Sequence, residues 1–236
     1  MLDVRLTAAA ELLSEGECLA DIGSDHAYLP IHLLKEKKYR RAVVTDVNRG
    51  PLNNSEKNAA RCGVEKRCDF RLGSGLTPLL AGECDAVSIC GMGGDLIAAI
   101  LGENLALARS FGRLVLQPMT NAAHLRGFLL ENGFRIVEER MARDRHLFYQ
   151  ILSVRPDGEA LPESDPFYLE FPLELARMRD AVFREYLLFK AAMEGRVLEG
   201  TRGSESFRAK EQAQRAQNRI HRLKELLQYY EGEGSH

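Results

Sequence analysis

The chain has 236 residues, of which 45% are apolar and 28% charged, and its formal net charge is −2. This length allows one good-sized domain with a smaller appended unit. The near-neutral charge does not by itself indicate nucleic-acid binding. No apolar run approaches the roughly 18 residues of a membrane helix. Because no secretory signal pattern is present, we expect a cytoplasmic protein without a membrane partner.

The five cysteines are an odd number and include no C-x-x-C pair. A C-x-x-C pair, which this chain lacks, is typical of zinc sites and of redox-active dithiols. We therefore expect reduced, mostly buried thiols and no metal site.

The hydrophobic pattern predicts alternating helices and strands through the first two thirds of the chain. In chain order we predict a helix at 4–14, a strand at 18–23, a helix at 29–38, a strand at 42–47, a helix at 50–61, strands at 68–73 and 84–90, a helix at 95–102, a strand at 113–117, a helix at 121–132, and two successive strands at 134–141 and 146–154. The alternation predicts a parallel, doubly wound α/β sheet, and the final strand pair predicts an antiparallel hairpin at one edge. This combination is typical of the Rossmann-like fold of class I methyltransferases.

The composition changes after residue 155, since four prolines fall between 156 and 172 and none follows. Apolar residues then recur at helical spacing, which predicts one helix from 173 that is broken by Gly195, Gly200 and Gly203. A second helix is predicted at about 204–230. We expect a first domain at 1–158 and, at 159–236, a helical hairpin or short coiled coil.

The second of these helices is basic, with seven Lys or Arg and two Glu between residues 202 and 224. A solvated helix face is one interpretation. A surface that contacts nucleic-acid phosphates is the other, because a clustered basic stripe binds a polyanion even on a neutral protein.

The turn after the first predicted strand reads Asp-Ile-Gly-Ser-Asp-His-Ala-Tyr-Leu-Pro at 21–30. Gly23 lets the backbone approach a ligand, and the helix that follows directs N–H groups toward it. A dinucleotide-binding turn has three glycines, whereas this turn has one. Asp21 and Asp25 would repel a pyrophosphate but attract a cationic cofactor. S-adenosylmethionine, with its sulfonium and ammonium groups, fits.

Further candidate ligand residues follow the next three strands. Asp46 lies 23 residues after Gly23, a spacing at which an acidic residue binds ribose hydroxyls. Capping of the next helix is the structural alternative for Asp46. Glycine-rich turns at 73–76 and 91–94 would lie at the same carboxyl edge of the sheet, where open α/β sheets bind ligands. Ordinary tight turns are the alternative there.

The motifs at 21–30, Gly-Met-Gly-Gly at 91–94 and Leu-Gln-Pro at 116–118 resemble those of the bacterial tRNA (adenine-N1)-methyltransferases that act on adenosine 22. The resemblance covers about residues 2–155 and, in layout only, the helical hairpin. It implies S-adenosyl-L-methionine as cofactor and tRNA as partner, and we expect a monomer or weak homodimer. Two positions depart from the family pattern: Ser74 stands where Asp is usual, and Met119 where Asn is usual.

Site residues follow from the motifs and from this resemblance. The cofactor contacts are expected from Asp21, Gly23, Ser24, His26, Asp46, Val47, Gly73, Ser74, Gly75, Leu76, Cys90, Gly91, Met92 and Gly93. The catalytic candidates are Asp25, His26 and Tyr28, which would stabilise charge on the base, orient it and stack on it. Helix capping, a structural hydrogen bond and packing are their respective alternatives. RNA contacts are expected from Arg5, Arg208, Lys210, Arg215, Arg219 and Arg222.

Other functions remain open at this point. The chain could methylate a small molecule or a protein, with the hairpin serving oligomerisation, or it could be a nonenzymatic RNA-binding scaffold. A nucleotide oxidoreductase is disfavoured by the missing glycines.

Overall fold

The computed structural model describes residues 2–161 and 165–232. The described chain divides into two compact units, the first ending at Glu170 and the second starting at Phe171. The first unit contains α1 (Val4–Leu12), β1 (Gly16–Ile22), α2 (Tyr28–Lys35), β2 (Tyr39–Asp46), α3 (Arg49–Arg61), a 3-10 turn (Glu65–Arg67), β3 (Cys68–Leu72), β4 (Ala86–Met92), α4 (Gly94–Glu103), α5 (Leu105–Ala108), β5 (Arg113–Pro118), α6 (Ala122–Glu131), β6 (Arg135–Asp144), β7 (Leu147–Arg155) and α7 (Pro166–Glu170).

The seven strands form one sheet in the order β3-β2-β1-β4-β5-β7-β6. Strands β1 to β5 are parallel, whereas β7 runs antiparallel to both β5 and β6. The predicted Rossmann-like sheet with an antiparallel edge hairpin is confirmed. Because β1 to β4 are parallel, the carboxyl ends of all four strands lie at the same edge of the sheet.

Helices cover both faces of the sheet, and alternate strand residues point to opposite faces. On one face, Leu19 of β1 packs with apolar residues of α1, α2 and α3. On the other face, Ala20 and Ile22 pack with apolar residues of α4 and α6. Burial on both faces explains why β1 reads as a continuous apolar run rather than an alternating one.

The segment that ends at Glu170 is hydrogen-bonded to the rest of the first unit. The N–H of Leu161 donates to the carbonyl of Leu130, and Nε of Arg126 donates to the carbonyl of Leu169. Nε2 of Gln150 donates to the carbonyl of Glu170 at 3.1 Å. The two compact units divide after Glu170. The domain boundary expected between residues 158 and 159 stays a prediction. Residues 162–164, inside that segment, lie outside the described residues.

The second unit contains α8 (Leu173–Arg177), α9 (Ala181–Gly200) and α10 (Phe207–Glu231). Helices α9 and α10 are antiparallel, since Arg184 pairs with Glu231 and Glu194 pairs with Arg219. The predicted C-terminal helical hairpin is confirmed.

Two predicted details of the second unit are wrong. The helix from 173 is interrupted before α9, where Arg179 has a φ of 53° and the Asp180 carboxylate accepts the N–H of Phe183. It is not interrupted at Gly195, which lies inside α9. A lone glycine in a helix costs only about 1 kcal/mol relative to alanine and does not by itself end the helix.

Within the described part of the chain, no helix combines the length and the apolar character needed to cross a bilayer.

Candidate active site

A pocket of about 330 Å³ opens at the carboxyl edge of β1 and β4. Three segments of the first unit line it: the start of α1 (Asp3, Arg5, Leu6), residues 21–29 from the end of β1 to the start of α2, and Cys90–Gly91 of β4. The pocket therefore lies in the crevice that open α/β sheets use for ligands.

Asp21 is the buried carboxyl group of this pocket, with 5% of its surface exposed. It lies opposite Ser88 of β4 in the strand register, and the Ser88 hydroxyl donates to its Oδ1 at 2.5 Å. Burial raises the pKa of Asp21 to about 6, although hydrogen bonds from Ser24 and Ser88 lower it in part. A carboxyl group that is costly to ionise without a partner favours a cationic ligand group.

The glycine of the turn is required by its backbone conformation. Gly23 has a φ of 69°, and its N–H donates to the carbonyl of Thr45 at 2.8 Å. A side chain at Gly23 would overlap the methyl group of Met92, which lies across it. Gly23 therefore permits the turn, and it leaves room for the Met92 methyl group.

Gly91 forms a bulge at the end of β4, where the pairing with β5 shifts register and φ is 84°. Its N–H donates to Oε1 of Gln117 at 3.1 Å, and Arg5 donates to the same oxygen. Arg5 also bonds Asp3 at 3.0 Å, and 19% of its side chain is exposed. These bonds hold the first turn of α1 against the pocket, so Arg5 forms part of the pocket wall. Its predicted RNA contact stays a prediction.

The Cys90 thiol is held in its protonated form. Burial raises its pKa above the ordinary value, and the nearby Asp21 carboxylate adds to the effect. Since the thiolate is the nucleophilic form of cysteine, Cys90 lines the site without the reactivity of a catalytic thiol.

The three predicted catalytic residues lie together at the mouth of the pocket. Nε2 of His26 is 3.4 Å from Oδ2 of Asp25, and the rings of His26 and Tyr28 are stacked at 5.1 Å. Half of Tyr28 is exposed. The capping alternative for Asp25 is wrong, because the cap of α2 is Ala27, in a left-handed conformation.

The remaining predicted cofactor residues are not part of the pocket lining. Asp46 ends β2, next to β1, and its Oδ1 accepts the N–H of Asn48 at 2.7 Å. Asn48 is the residue that precedes α3, so Asp46 also orders the start of that helix. The N–H of Gly73 donates to the Asp46 carbonyl at 3.0 Å, which places the turn after β3 next to Asp46. The others in this set are Val47, Ser74, Gly75, Leu76, Met92 and Gly93.

Sequence reasoning missed several residues that line the pocket or support its wall. Asp3 and Leu6 belong to a helix that carries no motif. Ser88 could have been found from the strand register, because it lies directly opposite Asp21. Gln117 was noted within Leu-Gln-Pro but given no role.

The predicted RNA-binding residues of α10 differ in their surroundings. Arg215 pairs with Glu211, Arg219 with Glu194, and Lys210 with Glu205. Part of the basic stripe is therefore neutralised by acidic residues of the same unit. Arg208 and Arg222 are also on α10. The RNA contacts of this helix stay a prediction.

The described residues contain no group of three or more His, Cys, Asp or Glu that could hold a metal ion.

Comparison with known proteins identifies the family. Residues 2–152 match the model of a family described as a methyltransferase domain. The chain belongs to this methyltransferase domain family. The methyltransferase is 34% identical over 151 residues to the tRNA (adenine(22)-N(1))-methyltransferase of Bacillus subtilis, a match that covers 64% of this chain and 63% of that relative. The chain thus matches less than two thirds of the relative's length.

Solved structures resemble the methyltransferase over nearly its whole length. A Streptococcus pneumoniae protein proposed to be a tRNA (m1A22) methyltransferase, solved in complex with S-adenosyl-L-methionine, is 32% identical with a TM-score of 0.82, covering 96% of this chain and 100% of that one. The Bacillus subtilis M1A22 tRNA methyltransferase TrmK is 28% identical with a TM-score of 0.82, covering 96% and 99% of the two chains. The family resemblance seen in the motifs is confirmed.

Proposed function

We propose that this chain transfers a methyl group from S-adenosyl-L-methionine to N1 of an adenosine in tRNA, at position 22 in the D-arm region. The observation that carries the proposal is the pocket at the ends of β1 and β4, built around the buried Asp21. The named activity of the relatives gives the acceptor.

The pocket suits the amino acid part of the cofactor. Asp21 would accept a hydrogen bond from the ammonium group. That group would provide a cationic partner, which the buried carboxylate does not have among the causes of its pKa shift. Gly23 and Gly91 line the pocket without a side chain, which lets a ligand lie close to the main chain there. Asp46, at the end of the neighbouring strand, would bind the ribose hydroxyls.

The cofactor supplies a methyl group activated by its sulfonium. Because N1 of adenine carries its own lone pair, the protein needs no strong base. Its contribution would be alignment of the base and stabilisation of the positive charge that the base acquires. Asp25 would take the second role, a proposal supported by its exposure at the pocket mouth beside His26. Tyr28, half exposed and stacked with the His26 ring, would stack on the base.

The target base lies in folded RNA and must be extruded into the pocket, at a cost of a few kcal/mol. Phosphate contacts would offset this cost. The basic residues of α10 are the contacts expected from the sequence, and Arg208, Lys210, Arg215, Arg219 and Arg222 are proposed for that role.

The deciding experiment incubates unmodified bacterial tRNA with labelled S-adenosyl-L-methionine and maps the methylated nucleotide. We expect a single product, 1-methyladenosine at position 22, and none with a tRNA in which guanosine replaces that adenosine. Methylation at another nucleotide would overturn the assigned position. Cofactor binding without methylation of tRNA would favour another acceptor, and no cofactor binding would favour an RNA scaffold.

A further inference from the structure

A basic groove lies between α2 and α3, directly beside the pocket. It consists of two adjoining depressions of about 320 and 200 Å³, which share Tyr28, Asn58 and Arg61. Lys57 lines the first depression, and Lys35 the second. We call this surface the α2–α3 groove.

The groove is continuous with the candidate active site. His26 and Tyr28 line both the pocket and the first depression, so the stacked ring pair forms the boundary between them. A ligand that enters the pocket past Tyr28 would therefore extend into the α2–α3 groove.

The charge of the groove has one sign. Lys35, Lys57 and Arg61 are exposed, and no described residue that lines either depression is acidic. Along α3 the ridge Arg49, Asn53, Lys57 and Arg61 repeats every four residues, which places these side chains on one face. Glu56, the acidic residue of α3, does not line the groove.

The groove also has ordered polar groups behind the cations. Nη2 of Arg61 donates to Oδ1 of Asn58 at 2.6 Å, and Nδ2 of Asn58 donates to the carbonyl of His26 at 2.7 Å. Arg61 is therefore held in a fixed relation to the turn that forms the pocket mouth.

We propose that the α2–α3 groove binds the phosphate backbone of the RNA strand next to the target adenosine, while Tyr28 stacks on a base. Lys35, Lys57 and Arg61 supply charge for two or three phosphates, and the exposed aromatic ring at the pocket mouth supplies the stacking surface that an unpaired base uses. This inference rests on the proposed function. It assigns to the first unit an RNA surface that the basic stripe of α10 had not indicated.

The test compares tRNA binding by the wild type and by a Lys57→Ala, Arg61→Ala double variant across a salt series. Each lost phosphate contact lowers the slope of log affinity against log salt by about 0.7 to 0.9. We therefore expect the slope of the double variant to be shallower by about 1.4 to 1.8, with at least about tenfold weaker binding at low salt. The affinity for S-adenosyl-L-methionine should stay unchanged, which also reports that the variant is folded.

Two controls separate a phosphate contact from general effects. The first control is the double variant Lys37→Ala, Lys66→Ala. It removes two exposed lysines from the turns that precede β2 and β3, and neither lysine lines the groove. Its tRNA affinity and salt slope should match the wild type. The second control, Arg61→Lys, keeps the positive charge and should therefore keep the salt slope of the wild type. If Arg61 acted only by its hydrogen bond to Asn58, lysine would not restore tRNA binding.

The possible results distinguish this inference from the proposed function. If the double variant binds tRNA as tightly as the control variant, the groove is not an RNA surface, while methylation by the wild type would still support the activity. If the wild type does not methylate tRNA, the proposed function fails. The salt series then still decides whether the groove binds RNA.

Discussion

Arg5 and Gln117 are 112 positions apart in the chain, yet the Arg5 guanidinium donates a hydrogen bond to Oε1 of Gln117. The same oxygen accepts the N–H of Gly91, and Nε2 of Gln117 donates to the Pro118 carbonyl at 2.8 Å. One buried amide thus joins the first helix to the ends of β4 and β5. The pocket wall depends on that amide.

Gln117→Leu should lower both stability and cofactor affinity. It leaves the Arg5 and Gly91 donors without their acceptor, and an unsatisfied buried donor costs about 1–3 kcal/mol. Denaturant unfolding measures the first effect and calorimetric titration with S-adenosyl-L-methionine the second. Gln217→Leu, on the exposed side of α10, is the matched control and should stay within about 0.5 kcal/mol of wild type. Equal effects of the two variants would show that the Gln117 bonds do not hold the pocket.

Asp21→Asn should make the ligand-free protein more stable at neutral pH. The folded state raises the Asp21 pKa from 3.8 to about 6, so it binds the proton more tightly than the unfolded state does. The free energy of unfolding therefore falls as pH rises from about 4 to 6, and the cost is fully present above pH 6. Removing the ionisable group should raise that free energy by about 1–3 kcal/mol at pH 7.5, and by little at pH 4. Unfolding curves of both proteins at the two pH values check this. The prediction is wrong if the difference in unfolding free energy between variant and wild type is the same at pH 7.5 and at pH 4.

The same carboxyl group should make cofactor binding depend on pH. If Asp21 binds the ammonium group in its ionised form, the affinity of the wild type for S-adenosyl-L-methionine should fall as pH drops through about 6. Asp21→Asn should bind the cofactor weakly and show no such dependence. Titrations at several pH values measure it, and identical pH profiles for the two proteins would remove Asp21 from the cofactor site.

Asp46→Ala should weaken cofactor binding by about 1–3 kcal/mol through loss of a charged hydrogen bond to the ribose. Because Asp46 also accepts the N–H of Asn48, alanine alone does not separate the two roles. Asp46→Asn keeps an acceptor for that N–H but lacks the charge. We expect it to retain the melting temperature of the wild type and to lose most of the cofactor affinity. If Asp46→Asn binds S-adenosyl-L-methionine as tightly as the wild type, the Asp46 charge has no role in cofactor binding, and the residue only orders the start of α3.

Arg126 and Glu139 should be strongly coupled in stability. Their side chains are 4% and 6% exposed and form two hydrogen bonds, of 3.0 and 2.8 Å. Removing one partner leaves a buried charge, so Arg126→Met should cost about 3–5 kcal/mol. The double variant with Glu139→Met should cost less than the sum of the single variants. Denaturant unfolding of all four proteins gives the coupling energy, and additive costs would refute the buried pair.

Reversing basic residues at the start of α10 should raise the apparent KM for tRNA. Arg208, Lys210 and Arg215 are suitable for change to Glu, because Lys210 and Arg215 pair only at the exposed surface. Arg219 is unsuitable, since it bonds Glu194 and lies 5.6 Å from the Phe171 ring. The affinity for S-adenosyl-L-methionine and the melting temperature should not change. Unaltered tRNA kinetics would remove this part of α10 from the RNA surface.

The sheet could be predicted from sequence because its strands leave clear signals. Buried parallel strands such as β1 read as short apolar runs, and Gly23 and Gly91 follow or interrupt them where φ is positive. The carboxyl edge that carries Asp21 and Asp46 follows from that alternation. Ser88 is predictable once the register of β1 and β4 is known.

Other features depend on tertiary contacts that leave little trace in the sequence. Nothing in α1 indicates that Arg5 is directed toward Gln117, because the partner lies on a distant strand. The break before α9 has neither glycine nor proline; Arg179 takes the positive φ, and Asp180 provides the cap. Conversely, Gly195 has open space beside it and does not end the helix, because α9 runs from Ala181 to Gly200.

The first turn of α1 has a practical consequence for handling the protein. Asp3 and Arg5 line the pocket, so an affinity tag or fluorescent protein fused to the amino terminus would begin only a few residues from the pocket lining. Activity measured with an N-terminal fusion should therefore be repeated after the tag is cleaved off.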